Sequence, residues 1–261
     1  RVFYYISPQI WAWKEGRVEK IRRDVERMFV ILPFEKAFYK KHDVEVDFVG
    51  HPLLDVIDAN KASIQKTNAE VSKGLPIIAL LPGSRRQEIK RMLELMLEVV
   101  PAFSEYRFVI AGAPAIPADF YTPFLKNTRI ELVQNQTYSL LEKAHAALVT
   151  SGTATLETAL FDVPQVVCYR GNVASYQIAK RLVKVDYISL VNLISEKEVV
   201  KELIQNELTV NNLTRELRYI LNGEKREDIL NDYKILRDKL GGKGASKRAA
   251  TLMQVYLSEQ A

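Results

Sequence analysis

The sequence predicts an α/β protein whose largest part is a doubly wound parallel sheet. Short segments that are apolar throughout, such as residues 77–81 and 164–169, alternate with segments of helical periodicity. A strand covered on both faces of a parallel sheet has this continuously apolar composition. Glycine, serine and proline follow several of these strands directly. The alternation therefore predicts repeated βα units.

The composition suits a globular chain with a sizeable core. The 261 residues are 48% hydrophobic and 26% charged, enough for one large or two medium domains. The single cysteine, Cys168, lies in an apolar run and is expected to be buried, with no disulfide partner. The three histidines are well separated, so no metal site and no cofactor are predicted. No apolar run approaches the roughly 20 residues that span a bilayer.

The formal charge of +5 is concentrated near the start of the sequence. Residues 1–41 hold ten Lys and Arg against five Asp and Glu, whereas the remainder is neutral. Beside Trp11 and Trp13, this excess could serve an anionic membrane surface or a phosphorylated substrate. A solvated helix face with pairs such as Glu19 and Arg23 is the open alternative. Nucleic acid is disfavoured because basic and aromatic residues do not interleave along the rest of the chain.

The order of elements divides the chain into three parts. Residues 1–50 form the closing part of a first α/β domain, and the abrupt strand at 2–6 suggests that this domain starts earlier than the sequence. Residues 51–240 form the second, ligand-binding domain, and residues 241–261 a helix that returns to the first. Because most of the first domain is expected to be missing, an apolar stripe on that helix, at residues 249–257, would then be exposed or pair with a second copy.

The individual elements follow from hydrophobic periodicity and turn residues. Strands are predicted at 2–6, 28–32, 44–49, 77–81, 107–112, 130–133, 146–149 and 164–169. Helices are predicted at 15–26, 35–41, 87–102, 138–143, from 153 onwards and at 175–182. Residues 187–190 are predicted to be extended. The stretch 198–259 is predicted to be helical, with breaks near 211–212, 223 and 241–242.

Small polar residues follow two predicted strands of the second domain. Ser151, Gly152 and Thr153 open a helix, whose free N–H groups and dipole attract an anion. The segment Gly83-Ser84-Arg85 follows another strand, and the carboxyl ends of parallel strands share one edge. An ordinary turn, with a Ser or Thr cap and Glu157 complementing the dipole, explains the first segment alone. Two anion-binding features on one edge favour a diphosphate between them.

The chemistry of this edge suits a nucleotide sugar. No Lys follows Gly83 as in a phosphate-binding ATPase loop, and the three-glycine dinucleotide pattern is missing. Glu157 lies one helical turn from the proposed diphosphate, where its carboxylate could bind a ribose. The arginine and the helix terminus can stabilise a departing diphosphate without a metal.

Six motifs, which lie in order along the chain, closely resemble the lipid-A-disaccharide synthases of Gram-negative bacteria. They are 5–13 (YISPQIWAW), 32–35 (LPFE), 50–53 (GHPL), 81–85 (LPGSR), 151–157 (SGTATLE) and 182–193 (LVKVDYISLVNL). The resemblance implies an inverting glycosyltransferase of GT-B fold. Such an enzyme moves 2,3-diacylglucosamine from UDP to 2,3-diacylglucosamine 1-phosphate, which yields lipid A disaccharide 1-phosphate and UDP.

The resemblance also implies roles for particular residues. The UDP diphosphate would be held by Gly83, Ser84, Arg85, Ser151, Gly152 and Thr153. The ribose and uracil would contact Glu157, Gly112 and Tyr138, and Arg170 and Asn192 are further donor-site candidates. The family's general base is expected in an N-terminal part that this sequence lacks. The implied location is the cytoplasmic face of the inner membrane.

Two other classes of function stay open on the sequence alone. A UDP-N-acetylglucosamine 2-epimerase would share the strand-end residues and Glu157, although it does not need the segment around Trp11 and Trp13. A noncatalytic module for membrane surfaces would use only the basic segment at 1–41. Thermal stabilisation by UDP, compared with NAD, ATP and single-stranded DNA, separates these classes.

Overall fold

The computed structural model describes residues 2–67, 74–125, 130–172 and 185–259. The helix predicted at 175–182 lies outside the described residues. None of the helices within the described ranges is long and apolar enough to cross a membrane.

The chain begins with a three-stranded parallel sheet. Its strands are β1 (Phe3–Tyr5), β2 (Arg27–Val30) and β3 (Asp47–Phe48), hydrogen-bonded in that order. The intervening helices are α1 (Ile10–Trp13), α2 (Val18–Asp24) and α3 (Pro33–Lys40), and a 3₁₀ turn at Glu15–Arg17 precedes α2. The predicted helix at 15–26 is therefore shorter than expected.

The buried carboxylate of Glu35 fixes the start of α3. Its Oε2 accepts the backbone N–H groups of Leu32 at 3.0 Å and Ile31 at 3.3 Å, and its Oε1 accepts the indole N–H of Trp11 at 3.2 Å. Burial raises the pKa of this carboxyl group, although these three donors act in the opposite direction. Trp11 is thus a core residue here, whereas the side chain of Trp13 is 49% exposed.

A second, six-stranded parallel sheet forms the main domain. Its strands are β4 (Ile77–Leu81), β5 (Arg107–Gly112), β6 (Ile130–Gln134), β7 (Ala144–Thr150), β8 (Gln165–Tyr169) and β9 (Glu202–Ile204). The strand order is β6-β5-β4-β7-β8-β9, so the winding reverses between β4 and β7. The predicted doubly wound parallel sheet is confirmed.

Helices cover both faces of this sheet. They are α4 (Leu53–Thr67), α5 (Arg86–Glu98), α6 (Thr137–Lys143), α7 (Thr153–Leu160), α8 (Leu190–Ser195), α9 (Val210–Leu221) and α10 (Glu224–Lys239). The buried stripe of α5, for example, consists of Ile89, Met92, Leu93 and Met96 at helical spacing. These side chains join the fully buried β4 and β5 in one continuous core.

The end of the main domain corrects the predicted helical stretch at 198–259. β9 adds a sixth strand at Glu202–Ile204, and Asn211 and Asn212 lie inside α9 instead of at a break. The strand was not predicted because Glu202 is polar and breaks the apolar run expected of a buried strand. Its carboxylate is nevertheless buried and accepts the N–H groups of Ile188 and Ser189, both at 2.9 Å. The segment at 187–190, predicted to be extended, leads into α8, for which Ser189 is the N-cap.

The last helix, α11 (Ala245–Ser258), packs on the three-stranded sheet. Ala249 lies in a small core with Phe29 and Val49, and the hydroxyl of Tyr256 donates to Asp47 at 3.0 Å. The Nε of Arg248 donates to the carbonyl of Val49 at 2.8 Å. Most of the apolar stripe thus packs on the first sheet through Ala249, Leu252, Met253 and Tyr256, whereas Leu257 is 51% exposed. The predicted pairing with a second copy stays a prediction.

Candidate functional site

A cavity of about 420 Å³ opens at the carboxyl ends of β4, β5 and β7. This is the edge where the winding of the sheet reverses, the place at which open α/β sheets bind ligands. The residues that line the cavity come from the turns after these three strands and from the first turns of α5 and α7. They are Leu81, Gly83, Ser84, Arg85, Glu88, Ala111, Gly112, Ala113, Pro114, Thr137, Thr150, Ser151, Gly152, Thr153, Ala154 and Glu157.

Two larger cavities lie away from this edge. One, of about 660 Å³, lies between the end of α5 and α9, beside the exposed Tyr219. The other, of about 580 Å³, lies beside β3, where Lys36 and Lys40 face Asp43 and Glu45. Neither is formed by the carboxyl ends of the strands of the main sheet. Size alone therefore does not identify the ligand site in this fold.

The turn after β4 is held by a carboxylate from α5. The Oε2 of Glu88 accepts the backbone N–H of Ser84 at 3.0 Å. Gly83 has a φ of +109°, and a Cβ at this position would lie 2.2 Å from the same Oε2. Glycine is required here both for its backbone angle and for the space that Glu88 occupies. The sequence-based argument missed Glu88, although a Glu in the first turn of a helix is placed to accept backbone N–H groups just before that helix.

Arg85 is the N-cap residue of α5 and is exposed beside the cavity. Within the described ranges, no acidic side chain forms an ion pair with its guanidinium. A free arginine at the rim of a cavity offers a planar, permanently charged fork to a phosphate or carboxylate. This geometry fits the predicted diphosphate role, which stays a prediction.

The turn after β7 leads into the N-terminus of α7. The backbone N–H of Ser151 donates to the carbonyl of Cys168 at 3.1 Å, and its hydroxyl donates to the carbonyl of Ile188 at 3.0 Å. Both donors of Ser151 are thus engaged with protein. The donors that face a ligand are the N–H groups of Gly152 and Thr153, because the first N–H groups of a helix have no partner within it. Among the described atoms, none lies within 4 Å of the place of a Cβ on Gly152.

Glu157 and Tyr138 form a pair at the cavity wall. The Tyr138 hydroxyl donates to the Oε1 of Glu157 at 2.9 Å, and the ring of Tyr138 lies 5.2 Å from that of Phe161. Burial raises the pKa of Glu157, and the bond from Tyr138 opposes this shift. The bond orients the carboxylate and leaves Oε2 for a ligand hydroxyl. Tyr138 itself does not line the cavity and orients Glu157 from behind it, and its predicted contact with the nucleoside stays a prediction.

The remaining predicted residues have different places. Gly112 lines the cavity, but a Cβ there would lie 3.1 Å from the Cγ of Gln134, so glycine also serves packing between β5 and β6. Arg170 and Asn192 do not line the cavity. The guanidinium of Arg170 donates to the carbonyls of Gln205 and Leu208.

Asn192 is completely buried and its amide is fully used. Its Nδ2 donates to the carbonyl of Val200 at 2.8 Å and to the carboxylate of Glu202 at 2.9 Å. Its Oδ1 accepts the N–H groups of Val199 at 2.9 Å and Val200 at 3.0 Å. These bonds give Asn192 a structural role, and its predicted place in the donor site stays a prediction.

The arrangement defines a class of protein. The strand order of the parallel sheet, with a ligand-sized cavity at the point where the winding reverses, is that of a GT-B type α/β domain. Solved structures with this fold include a putative UDP-N-acetylglucosamine 2-epimerase from Listeria monocytogenes, with 18% identity and a TM-score of 0.59 over 90% of this chain and 60% of that one. A UDP-GlcNAc 2-epimerase from Neisseria meningitidis bound to UDP-GlcNAc has 13% identity and a TM-score of 0.58, over 90% of this chain and 62% of that one. At these identities the likeness shows the fold alone.

Sequence comparison defines the family. The family profile described as "Lipid-A-disaccharide synthetase" matches residues 1–256. The lipid-A-disaccharide synthase of Syntrophus aciditrophicus is 40% identical over 96% of this chain, and that of Trichlorobacter lovleyi is 38% identical over 97%. The chain spans 68% of the length of each of these relatives. The chain belongs to the lipid-A-disaccharide synthase family, a family of glycosyltransferases.

Proposed function

We propose that the cavity at the carboxyl ends of β4, β5 and β7 binds the UDP part of a diacylglucosamine nucleotide. The observation that supports this most directly is the meeting of Arg85 and the N-terminus of α7 at one cavity. Two sources of positive potential at one cavity suit the two phosphates of a nucleoside diphosphate. Glu157, one turn into α7 with its Oε2 unengaged by Tyr138, suits the ribose diol.

The proposed reaction is the one that the family resemblance implies: transfer of 2,3-diacylglucosamine from UDP to 2,3-diacylglucosamine 1-phosphate. The 6-hydroxyl oxygen of the acceptor attacks the anomeric carbon, and the bond from that carbon to the diphosphate oxygen breaks with inversion. Negative charge grows on the departing UDP, and Arg85 and the N-terminus of α7 stabilise this charge. The transferred sugar is then joined to the acceptor, and the products are a β(1→6) disaccharide phosphate and UDP.

The acceptor hydroxyl must also lose a proton. The carboxylates that line the cavity within the described ranges are Glu88 and Glu157. Glu88 accepts the N–H of Ser84 and Glu157 accepts the hydroxyl of Tyr138. Since each already has a binding or structural role, we assign neither as the general base.

Isothermal titration with UDP tests the binding proposal. We expect UDP to bind, UMP to bind more weakly because it lacks one phosphate, and NAD and ATP to bind least. A transfer assay with synthetic UDP-2,3-diacylglucosamine and acceptor, read by mass spectrometry of the disaccharide phosphate, tests the reaction. Absence of UDP binding would overturn the proposal. Conversion of UDP-N-acetylglucosamine to its 2-epimer would favour the epimerase alternative, which rests only on fold.

We also propose that the first domain contacts an anionic membrane surface, since both proposed sugar substrates are acylated. Val2, Tyr4, Ile6 and Trp13 are 39–50% exposed, and the Nζ of Lys14 lies 3.9 Å from the centre of the Trp13 ring. Aromatic and cationic groups in this combination suit a lipid interface.

The basic residues of α2 support this proposal less than their number suggests. Arg22 is paired with Glu19 and Arg23 with Asp24. Co-sedimentation with anionic vesicles tests the surface, with Trp13→Ala as the variant and Tyr219→Ala, which removes an exposed aromatic ring of the main domain, as the control. Equal binding by both variants would contradict a role for the first domain.

A further inference from the structure

The hydroxyl of Thr150 is buried and has no hydrogen-bond partner among the residues that the structure describes. Thr150 is the last residue of β7, is 4% exposed, and lines the candidate cavity. The four residues before it in the strand, Ala146 to Val149, are apolar and fully buried. Thr150 therefore places a polar group at the point where the strand reaches the cavity.

A buried hydroxyl without a partner destabilises the free protein, because it has lost its bonds to water and gained none. Two other buried side-chain atoms share this condition among the described residues, Gln165 Oε1 and Gln205 Nε2. Neither residue lines the cavity, and the Nε2 of Gln165 donates to the carbonyl of Thr155 at 2.9 Å. Thr150 alone of the three lies where a ligand could supply the missing bond.

The neighbours of Thr150 determine which ligand group this is. The hydroxyl of Ser151 already donates to Ile188, so Thr150 is the side-chain donor left unused at the end of β7. The adjacent N–H groups of Gly152 and Thr153 and the fork of Arg85 are also donors. These donors suit a ligand group that only accepts hydrogen bonds. The oxygens of a diphosphate are such acceptors, whereas uracil and ribose also carry hydrogen-bond donors.

We propose that the Thr150 hydroxyl donates a hydrogen bond to a phosphate oxygen of the bound nucleotide. This inference rests on the proposed function, since it assigns a further binding residue to the same site. It also gives a reason for a threonine at a buried strand position where valine has the same shape.

Thr150→Val tests the inference because it removes the hydroxyl and preserves the volume. Because a hydrogen bond to a charged group contributes strongly to binding, the variant should bind UDP at least about tenfold more weakly than the parent. The affinity for uridine, which has no phosphate, should not change. The melting temperature of the free variant should be equal to or higher than that of the parent, since an unsatisfied group has been removed. Thr150→Ser should retain UDP affinity.

Thr158→Val is the matched control. Its hydroxyl is equally buried but donates to the carbonyl of Ala154 at 2.7 Å, two turns from the strand end. This variant should melt lower and bind UDP as the parent does.

Three results would overturn the assignment. The first is unchanged UDP affinity in Thr150→Val while the parent binds UDP. The second is an equal loss for UDP and uridine, which would move the contact to the nucleoside. The third is a lower melting temperature of free Thr150→Val, which would show that the hydroxyl has a partner in the unliganded protein. Failure of the parent to bind UDP would instead remove the proposed function, and this assignment with it.

Discussion

His51 is a buried histidine at the junction between the two sheets. Its side chain is 6% exposed, and its backbone N–H donates to the carbonyl of Leu240 at 2.9 Å. The Nδ1 accepts the backbone N–H of Leu53 at 3.2 Å, which requires the unprotonated form of that nitrogen. Burial lowers the pKa of the imidazole from 6.5 to about 4. The native structure therefore favours the neutral ring.

The consequence for stability has a definite sign. The unfolded chain takes up a proton on His51 near pH 6.5, and the native chain does so only near pH 4. The contribution of the neutral His51 ring to the free energy of unfolding is fully present above pH 6.5 and is lost as the pH falls from 6.5 to about 4. The native and unfolded pKa values of His51 differ by about 2.5. At about 1.36 kcal/mol for each pKa unit, this difference corresponds to a loss of about 3 kcal/mol in the free energy of unfolding.

The parent protein alone does not isolate this effect. Burial raises the pKa of both Glu35 and Glu157, so their contributions are present below the unfolded-state value of 4.5 and are lost as the pH rises through the native value. Near pH 4 these carboxyl groups oppose the histidine. A comparison of two proteins that differ only at His51 cancels their contribution.

His51→Asn provides that comparison. The amide oxygen of asparagine can accept the N–H of Leu53, but the side chain does not titrate. Urea unfolding from about pH 7.5 to about pH 4 should show the variant gaining about 3 kcal/mol relative to the parent, whatever its offset at neutral pH. His42→Asn, which removes a half-buried imidazole from the first domain, is the control. A difference between His51→Asn and parent that is independent of pH would refute the reasoning.

Three further expectations concern the cavity and the last helix. Arg85→Ala should weaken UDP binding by about 1.5–3 kcal/mol, the range for a hydrogen bond to a charged group, whereas Arg86→Ala should not; calorimetry that gives equal affinities for the two variants would contradict this. Glu157→Gln should cost more affinity for UDP than for 2′,3′-dideoxy-UDP, and equal losses would leave Glu157 with a helix-dipole role only. Deletion of residues 243–261 should expose the face of the first sheet and reduce solubility, yet retain UDP binding. If the deletion abolishes UDP binding and circular dichroism shows that the main domain has unfolded, the last helix belongs to the nucleotide domain.

The sheet of the main domain could be predicted because its strands are buried on both faces. Residues 77–81 and 107–112 were placed to the residue, since their apolar runs end at glycine, proline or charged residues. Right-handed βα connections then bring the carboxyl ends of all strands to one edge. The location of the cavity followed from this rule without any knowledge of side-chain contacts. The proposed boundaries at residues 50 and 240 are not fixed by the same rule and stay a prediction.

Buried polar groups were the part that sequence patterns could not resolve. Glu202 has the appearance of a solvated helix residue, and only the structure shows that it binds three donors beside a short strand. Glu88 and Thr150 were not singled out, because a Glu in the first turn of a helix and a Thr in a strand are both ordinary. What distinguishes Glu88 is its bond to the backbone of Ser84, and what distinguishes Thr150 is the lack of a partner among the described residues; periodicity reports neither.

Asn192 shows how a motif residue can influence a site that it does not touch. Its Nδ2 binds the carboxylate of Glu202, and that carboxylate also accepts the N–H groups of Ile188 and Ser189. The carbonyl of Ile188 in turn accepts the hydroxyl of Ser151 at the start of the turn before α7. Each bond in this chain is between groups that are buried or half-buried, so each is costly to leave unmade. The position of the helix N-terminus that faces the cavity thus depends on a carboxylate in the edge strand β9.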